Sequence, residues 1–342
     1  MSLPRKTLMV IPILICALLA SMVLAVAVGP TTIPLDTVLK TVLYKVIHAI
    51  AGPATIPLDT LLFTSANSQT IVWDVRLPRV IAAVLVGCAL AVAGTTMQGL
   101  FRNPMADPYI IGTSSGGALG ATLAIVLFSG TGRPVFAFVG AMAATFTVYF
   151  IARKGGKIPV ETLLLSGVAL ATLLSAFLSF LMYTAGKSLH QIMFWLMGGF
   201  WNISWNDVII VLPILAGCLV IYLFARDVNI LSLGEEDATH LGVNVEQLKR
   251  ILLALSSFLA GIAVSVAGSI GFIGLITPHV MRLIVGPDHR LLFPATALAG
   301  GTLLLWSDTL TRTFANDMPV GIITACFGAP FFIYLLRSRM KT

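Results

Sequence analysis

Residues 79–100 read RVIAAVLVGCALAVAGTTMQGL, a run of 22 residues whose only charge is its first arginine. About 20 apolar residues are enough for an α-helix to cross a bilayer, so the stretch reads as a transmembrane helix. The whole chain has this character. Its 342 residues are 58% hydrophobic and only 10% charged, and the mean hydropathy is +0.98. A water-soluble domain carries about 25% charged residues. A membrane β-barrel would show segments of roughly ten residues with alternating polarity, a pattern the sequence lacks. An all-α polytopic membrane protein is the fold class that remains.

Apolar segments at 8–28, 79–100, 108–128, 134–151, 160–183, 207–225, 250–270, 273–286, 291–313 and 321–336 predict ten transmembrane helices in one domain over residues 1–342. The first is expected to stay uncleaved, because the run Leu8–Val28 exceeds the apolar core of about 7–15 residues in a signal peptide. The eighth is short, so it is expected to work with the bend before it among protein neighbours, since irregular backbone does not face lipid. With the N-terminus inside, 14 of the 21 Lys and Arg fall on the inner side and 7 on the outer. Cytoplasmic loops carry that excess. Both termini are therefore expected in the cytoplasm and the chain in the cytoplasmic membrane. The same loops account for the net charge of +7 without invoking nucleic acid. Cys16, Cys88, Cys218 and Cys326 lie far apart in apolar runs and read as packing residues.

Two segments differ from ordinary spans. Residues 29–78 form an outer loop in which TIPLDT occurs at 32–37 and again at 55–60, and VLKTVLYKVIHAI between the copies reads as an amphipathic interfacial helix. Residues 190–206, HQIMFWLMGGFWNISWN, read as an aromatic half-helix at the outer boundary. There is also an internal echo. GCALAVAG (87–94) and GIAVSVAG (261–268) agree at five of eight positions. Gly99-Leu100 and Pro104 recur as Gly274-Leu275 and Pro278. An odd number of crossings separates the copies, which predicts inverted-repeat halves, a common transporter architecture.

SLGEEDATHLGVNVEQLKR (232–250) holds four of the fourteen acidic residues. The segment 226–250 falls on the inner side. Glu235, Glu236 and Asp237 suit the N-terminus of a short helix, Gly242 allows a turn, and Val245–Arg250 start the helix of the seventh span. The segment is either a solvated loop or a docking surface for a cytoplasmic motor. Other chemistry is sparse. There is no phosphate-binding loop and no HExxH, and the five histidines have no ligand spacing. Asp74, Asp107, Glu161, Asp207, Asp227 and Asp308 map near span ends or loops. Carboxylates at mid-membrane depth are the usual mark of an ion pathway. The reading is a transporter driven by another chain, with no catalytic residue, metal or cofactor of its own. A self-sufficient ion-coupled secondary transporter is the alternative, and an intramembrane enzyme a third.

Residues 76–121, RLPRVIAAVLVGCALAVAGTTMQGLFRNPMADPYIIGTSSGGALGA, resemble the signature region of the FecCD-type permeases. Residues 268–312 and MPVGIITACFGAPFFIYLL (318–336) are similar to the same family. These are membrane subunits of binding-protein-dependent ABC importers for ferric siderophores, haem and cobalamin. The resemblance implies a type II importer permease with ten helices, working as a homodimer with two ABC ATPase subunits and an extracytoplasmic binding protein. It implies ATPase coupling through Glu235, Glu236, Asp237, His240, Leu241 and Gly242. It implies binding-protein docking through Arg76, Arg79 and Arg312. It also implies a cytoplasmic gate at Asn103, Met105, Val160 and Glu161, where the location carries over better than the side chains. The doubled outer loop departs from the family's shorter pattern.

Overall fold

The computed structural model describes residues 9–51, 66–315 and 317–339. Among these, regular structure is helical apart from one isolated bridge between Lys154 and Lys157. The apolar runs become α1 (Val10–Ala27), α3 (Leu77–Leu100), α4 (Thr113–Phe128), α5 (Arg133–Ala152), α6 (Val160–Thr184), α8 (Trp205–Leu223), α11 (Val245–Ala267), α12 (Ile273–Val285), α13 (His289–Phe314) and α14 (Val320–Arg339). Seven of the described helices are long and apolar enough to cross a membrane. The shorter α4, α12 and the apolar part of α14 fall on the third, eighth and tenth expected spans. Between these lie α2 (Leu35–Ala51), α7 (Leu189–Leu196), α9 (Ala225–Leu231) and α10 (Glu235–His240).

The helix of α3 is the axis of the fold. Nearly every residue from Val80 to Leu100 is buried, and α11, α12 and α13 pack around it. Small residues make this possible, because glycine lets helix backbones approach closely in a membrane. A Cβ on Gly94 would lie against the carbonyl oxygen of Gly274, and one on Gly87 against that of Gly300. The outer surface is the reverse of a soluble protein's: Val139, Phe146 and Phe150 of α5 and Leu215 and Leu219 of α8 are exposed. In a bilayer such faces meet acyl chains.

The second span starts earlier than expected. The helix is continuous from Asn67 to Leu100, so residues 67–78 belong to it and not to the outer loop 29–78. Pro78 lies inside this helix. Proline lacks an N–H, and its ring crowds the carbonyl four residues back. Here a π-helical stretch, Ile71–Arg76, precedes it, and Leu77 N–H donates to Val72 O. That wider turn makes room for the ring without ending the helix.

The first TIPLDT copy leads into α2; the second lies outside the described residues. Along α2, Leu35, Leu39, Leu43 and Val46 form an exposed stripe, while Val38 and Thr41 face the protein. This is the pattern of a helix lying in the membrane interface. The half-helix expected at 190–206 is α7, which ends where Gly198 takes φ +72.

The bend before the eighth span is Gly268–Phe272. Gly268 terminates α11 at φ +68, whereas its echo Gly94 lies inside an unbroken helix. The freed polar groups find protein partners: Gly199 N–H donates to Ala267 O at 2.8 Å, and Ser114 Oγ and Ser269 Oγ are 2.7 Å apart. Gln98 Nε2 donates to the carbonyls of Gly274 and Leu275, each at 3.3 Å. Interruption of a membrane helix is tolerated under just these conditions.

Candidate functional site

The polar block forms two linked helices. Gly234, at φ +143, redirects the chain after α9 into α10. Glu235, Glu236 and Asp237 fill the first turn, where the helix dipole favours them. Ala238 is the buried anchor. Gly242, at φ +85, reverses the chain, and Asn244 caps α11 by accepting from Gln247 N–H at 3.1 Å. Glu236, Asp237, His240, Leu241 and Gly242 are exposed. Leu233 and Leu241 stand 65% and 60% exposed on either side of the acids. The result is a firmly seated protrusion with an acidic centre and two apolar shoulders. Glu235 differs from its neighbours: it turns back to accept from Lys249 Nζ at 2.8 Å.

The expected gate residues lie at two helix ends. Asn103 is exposed, and its Oδ1 accepts from Met105 N–H at 3.0 Å, stiffening the turn after α3. Val160 begins α6 directly after Pro159, and Glu161 is exposed in the first turn. Arg102, beside Asn103, reaches toward Gly234 at the foot of α10. Ile158, two residues before Val160, is bonded to Glu246 at the foot of α11. Both gate segments therefore border the polar block.

Close to Asn103, Asp107 caps the short 3-10 turn Pro108–Ile111, its Oδ1 accepting from Tyr109 N–H at 2.8 Å. Burial pushes its carboxyl up to about 6, against the downward pull of that N–H. A carboxyl raised in the fold is ionised at neutral pH at a cost to stability. The cost is full above about 6, fades as pH falls, and vanishes below the unfolded value near ~3.9. Asp107→Asn, which keeps the cap, is expected to raise Tm at pH 7.5 and to lose that advantage by pH 4. Thermal melts at the two pH values check this.

The three arginines gather at one end of the bundle, near the last turn of α1, and each bonds to groups of this chain. Arg76 and Arg312 are each only 4% exposed. The last carbonyls of a helix have no partner within it, and these two side chains supply one for α1. Arg76 Nη1 donates to Val26 O at 2.8 Å and Ala27 O at 2.9 Å, and Nη2 to Thr31 O. Arg312 Nη2 donates to Ala25 O. Arg79 is instead paired across the bundle: Nε and Nη2 donate to Asp308 of α13 at 2.9–3.1 Å. Asp317 Oδ1 is 2.9 Å from the same Nη2.

Four residues that sequence reasoning passed over organise the polar end. Asn229 Nδ2 donates to Asp288 Oδ1 at 2.7 Å, and Asn229 Oδ1 accepts from His289 N–H at 2.9 Å. This fastens α9 to the start of α13. The fourth, Lys249, is 4% exposed despite its charge. An Asn and an Asp 59 residues apart in sequence give no local signal of meeting.

An all-helical bundle with an apolar exterior and an acidic protrusion at one end defines a polytopic membrane protein. The model of the FecCD transport family matches residues 16–338, and the chain belongs to that family. It is 52% identical over 276 residues to the cobalamin import system permease protein BtuC of Halobacterium salinarum, covering 80% of this chain and 75% of that one. It is 45% identical over 290 residues to the hemin transport system permease protein HmuU of Yersinia pestis, covering 81% and 86%. Among solved structures, an inward-facing metal-chelate type ABC transporter superposes with a TM-score of 0.81 at 32% identity, covering 96% of this chain and 98% of that one.

Proposed function

We propose that the chain is the permease subunit of an ABC importer that carries a cobalamin or an iron complex such as haem or a ferric siderophore into the cytoplasm. Separate ATPase subunits power it, and a binding protein delivers cargo at the outer end. The observation that carries the reading is the protrusion of α10. It is anchored by Ala238, exposed at Glu236, Asp237 and Leu241, and adjoins both expected gate segments. A solvated loop would have no need of such anchoring.

The remaining parts fit this assignment. The face of α6 is exposed along its length, and at helical spacing it presents Thr172, Ser175 and Ser179 among its apolar residues. Exposed hydroxyls at membrane depth suit a water-accessible pathway between two copies of the chain, a homodimer. The buried acid of α13, Asp308, is neutralised by Arg79, which leaves it ill suited to the proton relay of an ion-coupled transporter. Docking of the binding protein belongs at the end of the bundle where Arg76, Arg79 and Arg312 gather. By this topology both termini lie in the cytoplasm.

The test is uptake of cyanocobalamin, haemin and a ferric siderophore into proteoliposomes holding the chain with its ATPase and binding protein. Uptake of at least one that requires ATP and both partners supports the reading. ATP-independent counterflow by the chain alone defeats it. A sharper test changes Glu236 and Asp237 to Lys, sparing Glu235 because of its bond to Lys249. ATPase binding is expected to weaken at least ~tenfold, equivalent to about 1.4 kcal/mol, with the membrane dimer intact by size-exclusion chromatography. Unchanged ATPase affinity would remove α10 from the interface.

A further inference from the structure

Lys249 is a cation with almost no exposure, and its partners are polar groups of this chain. Its Nζ donates to Glu235 Oε2 of α10 at 2.8 Å, to Glu246 Oε1 of its own helix at 3.3 Å, and to Ile158 O at 3.4 Å. The other oxygen of Glu246 accepts from Ile158 N–H at 3.0 Å. One peptide residue is therefore gripped at both its N–H and its C=O by the same pair of side chains.

The gripped residue stands at the end of a stiff connection. Lys154 and Lys157 close the turn between α5 and α6 with two backbone bonds of 3.0 and 3.1 Å. Ile158 is buried, and Pro159 fixes the backbone immediately before Val160 starts α6. Pro159 has one permitted φ, so a shift of Ile158 is passed to α6 with little absorbed in the loop. At the other end, Glu235 is part of the exposed acidic helix. An ammonium this buried would be left an unpaired charge if it lost these carboxylates, so the parts it joins move as one.

We propose that Lys249 and Glu246 form a positioning pair that ties α10 to the entrance of α6, so that displacement of the acidic helix moves the segment at Val160 and Glu161. The inference rests on the reading of α10 as the site that receives the ATPase. The link acts through Ile158 and touches no cargo.

The full complex with ATPase and binding protein, in proteoliposomes, tests it through Lys249→Met, Glu246→Ala and the double variant, each measured for ATP hydrolysis and uptake. Uptake per ATP hydrolysed is expected to fall between about five- and a hundredfold, the range of an ordinary coupling between sites, while the ATPase subunits still co-purify and hydrolyse ATP. The double variant is expected to be no worse than the more affected single one, because both residues serve one link. Proportional loss of uptake and hydrolysis, or losses that multiply in the double variant, would overturn the proposal. Should Lys249→Met not fold, Glu235→Gln weakens the same link from the exposed side and must show the same split. Amide exchange in the isolated chain is independent of any ATPase: Glu246→Ala is expected to speed exchange at Ile158, and an unchanged rate would refute the link. A wild-type chain that binds no ATPase but shows this exchange effect would count against the proposed function alone.

Discussion

Replacing Gly94 with valine is expected to abolish the folded protein. A Cβ at this position falls on the carbonyl group of Gly274, and both partners are backbone, so no side-chain rotation relieves the overlap. Overpacking a core ordinarily costs about 1–3 kcal/mol. Here the obstructing atoms belong to α12 just after the bend at Gly268–Phe272, and the same carbonyl accepts from Gln98. Moving it disturbs the contact of α3 with α12 and the polar partners that satisfy the interrupted backbone together. The expected readout is loss of the monodisperse peak in detergent and degradation in the membrane. Gly271→Ala is the control, since nothing lies within 4 Å of a Cβ there. It is expected to behave as wild type. A well-folded Gly94→Val protein would mean that α3 and α12 do not approach as closely as the structure has them.

That contact also shows how far the sequence was readable. The echo between 87–94 and 261–268 singled out Gly94 and Gly268 as equivalents, yet one lies mid-helix and the other ends a helix at positive φ. An eight-residue pattern of small residues specifies close packing without specifying whether the backbone continues. The long apolar runs were legible because each demands about 20 residues of one character, a property of the segment itself. The limits of the second span were not, because the effect of Pro78 depends on a π-turn upstream. In the polar block, the order of α10, Gly242 and α11 followed from dipole and turn chemistry alone. The partners of its charges did not. Lys249 reads as one more surface cation, and only the fold brings it to Glu235 and Ile158.

The partners of the three arginines were hidden for a related reason. Arginines near span ends ordinarily reach for water, and nothing local distinguishes Arg76 or Arg312 from that habit. What captures them is the open C-terminal end of α1, whose carbonyls are 49 and 50 residues from Arg76 and 287 from Arg312. Hence one end of the bundle is fastened by Arg76, Arg79 and Arg312 facing inward, while the other presents Glu236 and Asp237 to solvent.

Asp308 is where that outer fastening is most vulnerable. Its carboxylate is wholly buried and accepts three donations from Arg79 at 2.9–3.1 Å, joining α3 to α13. Asp317 shares the same guanidinium only as an ion pair and is 47% exposed, so solvent screening limits its worth to about 1 kcal/mol or less. Asp308→Ala would leave a largely buried guanidinium with that weak partner alone. Breaking a buried pair from one side costs about 3–5 kcal/mol, which for a chain of this size lowers Tm by about 4–7 °C. Asp317→Asn is expected to lower it by at most about 1–2 °C on the same scale. The cause is the stranded charge and not the missing contact, so Arg79→Leu combined with Asp308→Leu should recover most of the loss, as paired hydrophobic replacements of buried ion pairs often do. Melting curves of the three proteins decide the matter. If Asp308→Ala and Asp317→Asn were equally mild, or the double replacement no better than Asp308→Ala, water would have to reach Arg79 freely, and the outer end of the bundle would be open where the structure has it closed.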